Sequence, residues 1–137
     1  MNATFVENLQ EFEVVGLRSD ATAVRIIPSL GAKIFSLVNL KTGREWMWAP
    51  PGELRLLKSK TGDMFPDGTK IGADECLPTI VACKWRGFQL TDHGDAWTEA
   101  WELDRRAFDQ GRIMTSLRMP VSPLEIVRTI SLTEVAA

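Results

Sequence analysis

The sequence holds one histidine and two cysteines. No apolar stretch in it approaches the ~20 residues of a membrane-spanning helix. The start, MNATFVENLQEFEVV, has neither a basic segment nor an apolar one, so no signal peptide is expected. Without secretion, the triplet Asn2-Ala3-Thr4 carries no weight as a glycosylation acceptor. Cys76 and Cys83 then read as reduced thiols packed as small hydrophobes, and the expected location is cytoplasmic. Basic residues are not in excess: 16 Lys and Arg stand against 18 Asp and Glu, for a formal net charge of -2. That balance argues against a sequence-independent grip on phosphate backbones, which needs clustered cations. Neither a membrane nor a nucleic acid is therefore expected as a partner.

What the sequence does have is the composition of a folded domain, 45% hydrophobic and 25% charged over 137 residues. This length predicts a single domain, 1–137, able to bury about two-thirds of its unfolded surface. The segments 22–28, 31–39 and 45–48 read as strand, strand and strand, broken by Pro28-Ser29-Leu30-Gly31 and by Lys41-Thr42-Gly43-Arg44. Residues 58–72 have no clean period and read as a long loop. Strands are expected again at 84–91, 97–105, 111–119 and 123–133. In the last, Leu124, Ile126, Ile130 and Leu132 share one parity, interrupted only by Arg128, as in a half-buried antiparallel strand. Helix is the weaker reading throughout, with 52–60 and 96–106 the two segments open to it. Turn signals every ~8–12 residues predict an all-β, antiparallel β-sandwich. Its expected core includes Val24, Ile26, Ile34, Leu37, Leu124, Ile126, Ile130 and Leu132. The chain stops at Glu134-Val135-Ala136-Ala137, directly after a strand. Unpaired edges of that kind promote association, so pairing with a second copy or another chain is expected.

Two clusters concentrate chemistry. Thr91 to Trp101 contains the histidine, His93, together with Asp92, Asp95, Trp97, Glu99 and Trp101. In an extended chain His93, Asp95, Trp97, Glu99 and Trp101 share a face; in a helix His93, Trp97 and Trp101 still group. An indole stacks on the apolar face of a sugar ring, and Asp or His can hydrogen-bond its hydroxyls. The plainer alternative is that both tryptophans pack in the core. The second cluster is Gly72-Ala73-Asp74-Glu75-Cys76-Leu77-Pro78-Thr79-Ile80, where a carboxylate can accept from substrate hydroxyls or simply cap a loop. Residues 62–70 have the wrong spacing for a phosphate loop, and Cys76, Cys83 and His93 match no zinc pattern. There is no Gly-x-Ser-x-Gly elbow.

Four segments in order resemble the galactose mutarotase-like family, specifically its aldose 1-epimerase-related members. They are Ile27 to Leu37, Gly43 to Trp48, Gly72 to Ile80, and Asp92-His93-Gly94-Asp95-Ala96-Trp97. The resemblance runs from about residue 21 to 133 and matches the N-terminal half of that fold. It implies a β-supersandwich that binds a monosaccharide or sugar phosphate and interconverts its anomers, an isomerase activity that needs no metal or cofactor. A base takes the anomeric hydroxyl proton while an acid protonates the ring oxygen. By the resemblance, His93 is the sole catalytic candidate and mainly helps to hold the sugar, while Asp74, Glu75, Asp92, His93, Trp97 and Trp101 are the candidate substrate contacts. The family's catalytic glutamate and second histidine lie in its later half and have no counterpart here. Its site arginine has only Lys70 as a loose substitute. The expectation is a carbohydrate-binding protein without the complete acid–base pair; the alternatives are a non-catalytic carbohydrate-binding module with a tryptophan platform and a structural or interaction subunit that forms a dimer.

Overall fold

The computed structural model describes residues 2–133. The segment Glu134-Val135-Ala136-Ala137, on which the expectation about the chain's end falls, lies outside the described residues. The architecture is mostly antiparallel β with almost no helix, as the alternating patterns predict. Strands β1 (Ala3–Leu9), β2 (Phe12–Arg18), β3 (Thr22–Ile27), β4 (Lys33–Asn39) and β5 (Arg44–Glu45) form a five-stranded meander in chain order. A short hairpin, β6 (Cys83–Trp85) and β7 (Phe88–Leu90), stands apart from it. Then β8 (Glu102–Leu103), the one-turn helix α1 (Arg105–Asp109), β9 (Ile113–Arg118) and β10 (Glu125–Ile130) follow. They give a three-stranded sheet of order β10-β9-β8.

Both faces of the large sheet are covered, which is why β2 reads as a nearly unbroken apolar run. On one face Val15 and Leu17 of β2 lie beside Ile26 and Val24 of β3 and pack against Phe108 of α1 and Ile113 of β9. This contact joins the two sheets face to face. On the other face Phe12, Val14 and Ile27 are covered by Leu56 and Ile71 from the long irregular segment. The register of β3 against β4 shifts between Arg25 and Ile26, so that Arg25 opposes Ser36 and Ile26 opposes Ile34, leaving Phe35 unopposed. The bulge lets Ile34 and Leu37, three residues apart and so of opposite parity, both pack on the inter-sheet cluster, while Phe35 packs on the other. Gly16 needs no side chain because the Phe5 ring from β1 lies over it; a Cβ there would sit 2.1 Å from the ring.

Several expectations are corrected. Strands β1 and β2 were not anticipated. The segment 45–48 pairs only through Arg44–Glu45. The segment 84–91 is a hairpin turning at Arg86-Gly87, whose φ values of 47° and 86° fit a tight two-residue turn. The segment 97–105 is not a strand: a 3₁₀ turn (Ala96–Thr98) precedes the two residues of β8, and Asp104 then caps α1 by accepting from the Ala107 N–H at 2.9 Å. Residues 52–60 are irregular. Among the expected core residues Val24 and Ile26 are buried, and Ile34, Leu37, Ile126, Ile130 and Leu132 are packed at its margins. Leu124 is 40% exposed because it precedes β10 in the turn rather than entering the sheet. No helix among the described residues is long and apolar enough to cross a membrane.

Candidate functional site

The irregular region between β5 and β8 is held by backbone contacts too close for side chains. Gly72 has φ +67°, and a Cβ there would lie 2.1 Å from the Ile34 carbonyl oxygen. Gly94 has φ +72°, and a Cβ there would lie 1.7 Å from the Leu77 carbonyl oxygen. Only glycine satisfies both the left-handed backbone and the approach. The first contact bolts residues 72–73 to β4, where Ala73 and Ile34 exchange hydrogen bonds of 2.8 and 3.1 Å. The second draws the His93 segment onto residues 77–80: the His93 N–H donates to Ile80 O at 3.0 Å, and the Asp95 N–H to Leu77 O at 3.1 Å.

Phe65 organises three of the six expected contacts. Its ring stacks on His93 with centroids 4.2 Å apart and meets Trp97 edge-on at 5.2 Å. Its backbone N–H donates to Asp92 Oδ2 at 3.0 Å. That donation, with His93 close by, holds the Asp92 carboxyl below its ordinary range against a small desolvation effect. His93 Nδ1 lies 3.0 Å from Asp92 Oδ1 but makes no hydrogen bond of good geometry. The histidine itself has φ +55°, a conformation uncommon outside glycine and asparagine.

The adjacent acids Asp74 and Glu75 are pinned from opposite sheets. Lys33 of β4 is 3% exposed, and its Nζ lies 2.6 Å from both oxygens of Asp74 while donating to the carbonyls of Thr69 and Ile71. Burial pushes the Asp74 carboxyl up, and Lys33 opposes that push. Arg128 of β10 pairs with Glu75 at 2.8 Å, donates to Ala32 O, and lies over the Trp101 ring at 5.4 Å. The residue that breaks the apolar parity of the last strand is thus a clasp between that strand and the site.

Two site expectations are corrected. Trp97 and Trp101 are each 4% exposed. The chain is neither extended nor α-helical there, and each indole N–H is consumed internally, Trp97 donating to Gly94 O at 3.1 Å and Trp101 to Ala96 O at 2.9 Å. They are core residues and offer no stacking platform at the surface. Asp95 is also inside, 1% exposed, accepting from the Val121 N–H at 3.0 Å, and burial raises its carboxyl above the ordinary range.

The open aromatic surface is elsewhere. Trp48 is 62% exposed and forms one wall of a groove of about 290 Å³ that also involves Phe65, Pro66, Lys70, Gly72 and Asp74. Trp48 is fixed there by its carbonyl, which accepts from the Gly72 N–H at 2.8 Å. The groove therefore brings together Asp74, the loosely matched Lys70 and Phe65; Asp92 and His93 do not line it and touch it only through Phe65. Besides Trp48, which entered only within the segment Gly43 to Trp48, sequence reasoning missed Lys33, Phe65 and Arg128 here. Arg128 alone left a signal, as a charge on an apolar face. A larger groove of about 530 Å³ runs between the five-stranded sheet and the segment that covers it, beside Phe35, Leu54 and Ile71. Its charges are already satisfied within the fold: Arg25 pairs with Glu7 at 2.8 Å, and Glu45 accepts from Ser36, Leu37 and Met47. The smaller groove is the better candidate because it sets an exposed aromatic ring, Trp48, beside Lys70 and Asp74. Among the described residues no three His, Cys, Asp or Glu side chains group as metal ligands. Comparison with known protein families, curated proteins and solved structures gives no match.

Proposed function

We propose that this chain binds a monosaccharide or sugar phosphate in the groove between Trp48, Phe65 and Asp74, in the manner of an aldose 1-epimerase-like protein without a complete acid–base pair. The observation that carries this reading is the exposed Trp48 indole standing across a small groove from Lys70 and Asp74. A pyranose presents an apolar C–H face suited to the indole and a rim of hydroxyls suited to a carboxylate and an ammonium. A volume of about 290 Å³ sits at the lower end of the ~300–1,000 Å³ usual for small-molecule sites and fits one ring rather than a chain. Lys70 supplies the positive charge that a phosphorylated sugar would require.

His93 is the single acid–base candidate. Anomer exchange needs a second group to protonate the ring oxygen as the first removes the hydroxyl proton. The nearby carboxylates are occupied, Asp74 by Lys33 and Glu75 by Arg128. The expected behaviour is binding without turnover.

NMR titration with glucose, galactose and their 6-phosphates tests this. Saturable shifts confined to residues 48, 65–74 and 92–94, lost in Trp48→Ala at unchanged melting temperature, are expected. A panel of sugars that moves no resonance would sink the proposal. The same samples report anomer exchange; acceleration over buffer would show that a complete acid–base pair exists after all.

A further inference from the structure

The three-stranded sheet ends on β10, whose outer edge pairs with no strand among the described residues. Among the described residues no backbone hydrogen bond joins β10 to anything but β9. Edge strands are normally blunted by shortness, proline, lysine, a bulge or a covering segment. The edges β5 and β8 are two residues long. The edge β1 carries Glu7, locked to Arg25. β10, Glu125-Ile126-Val127-Arg128-Thr129-Ile130, is six residues long and regular, without proline, lysine or bulge; its charges are Glu125 and the inward-pointing Arg128, and they cancel. Its exposed apolar side chains are Val127, at 60%, and the preceding Leu124, at 40%.

We infer that β10 pairs antiparallel with β10 of a second copy of this chain about a local twofold axis, with Val127 opposite Val127. The strand is self-complementary in that register. On the outer face Val127 meets its copy and Glu125 meets Thr129. On the inner face Leu124 meets Ile130, and Ile126 meets the aliphatic stem of Arg128. Both exposed apolar side chains gain partners, and no like charges face each other. A one-residue slip would turn every side chain to the wrong face. Centring the pair on Arg128 sets guanidinium against guanidinium; centring it on Ile126 sets the Glu125 carboxylate against Val127. The product is one continuous six-stranded sheet built from two three-stranded ones.

Sedimentation velocity on the full chain, from low micromolar to near-millimolar concentration, tests the inference. The wild type is expected to show a monomer–dimer equilibrium. Val127→Lys and Val127→Glu each place like charges across the axis and weaken self-association about tenfold or more. Mixing the two variants restores association, because lysine then faces glutamate; only the register centred on Val127 has this property. Val6→Lys on the β1 edge leaves the dimer intact. A wild type that stays monomeric throughout overturns the inference. So does a dimer lost through Val6→Lys instead, or a mixture that fails to recover. Should the Val127 variants misfold, amide exchange on the wild type decides: β10 protection that rises with protein concentration supports the pairing, and concentration-independent protection refutes it.

Discussion

The five-stranded meander and the irregular region that follows it are specified in different ways. From β1 to β4 the chain is held by ladders and by two apolar faces, so each position contributes a little and many substitutions share the load. Between β5 and β8 few residues are in strands, and a handful of contacts fix the path: two glycines against carbonyls, a buried lysine, and one phenylalanine. The lesson is that the site region, much of it exposed, is brittle at points where the sheet is tolerant.

That contrast is open to direct tests. Gly94→Ala is expected to have the largest effect, on the order of 4 kcal/mol or loss of folding, because the methyl group collides with Leu77 O and the backbone is left-handed. Thermal or denaturant unfolding measures it, and a loss below about 1 kcal/mol would mean that the region yields rather than breaks. Lys33→Met should cost about 3–4 kcal/mol, because Asp74 is left as an uncompensated buried carboxylate. The double variant Lys33→Met with Asp74→Leu should recover most of that loss, which would separate a charge effect from a packing one. Within the sheet, Leu17→Ala should cost about 3 kcal/mol, as a fully buried leucine does, without abolishing folding. Trp48→Ala should change stability by less than about 0.5 kcal/mol, since the indole is mostly in solvent, while removing sugar-dependent shifts.

The smallest effect concerns acid. Partial burial pushes Glu45 up, but donation from Ser36, Leu37 and Met47 outweighs it and leaves the carboxyl below its ordinary value of 4.5. A lowered folded value means stability that is complete above 4.5 and is lost as pH falls through the folded value. The stability difference between wild type and Glu45→Gln should therefore shrink toward acid pH. Asp74 and Asp95 have the opposite sign, both raised by burial, so their neutralisation in acid relieves strain. Their titration is common to both proteins and cancels in the difference, so a difference that stays constant toward acid would show that Glu45 is not held below its ordinary range.

The legibility of the sequence follows the same division. Strands β3, β4, β9 and β10 announce themselves because one or both faces are buried and alternation or β-branching survives in the residue order. β1 is hard to read because most of its side chains are exposed, and β2 because both of its faces are covered and its parity is therefore blurred. The site was legible as a set of segments but not as a geometry. Asp92 and His93 do sit together, yet the feature that gathers them is Phe65, which lies in a loop with no periodicity to give it away. Trp97 and Trp101 stand out in the sequence for the reason that made them misleading: a large aromatic in a polar stretch marks a core as readily as a ligand platform.

The peptide step from Asp74 to Glu75 has a mechanical meaning. One of its side chains is tethered to the first sheet through Lys33 and the next to the second sheet through Arg128. Two neighbouring residues thus act as a rivet through both layers, with the groove at one end and the strand β10 at the other. A shift of one layer against the other therefore pulls on these two ion pairs, and through them on the carboxylate beside Trp48.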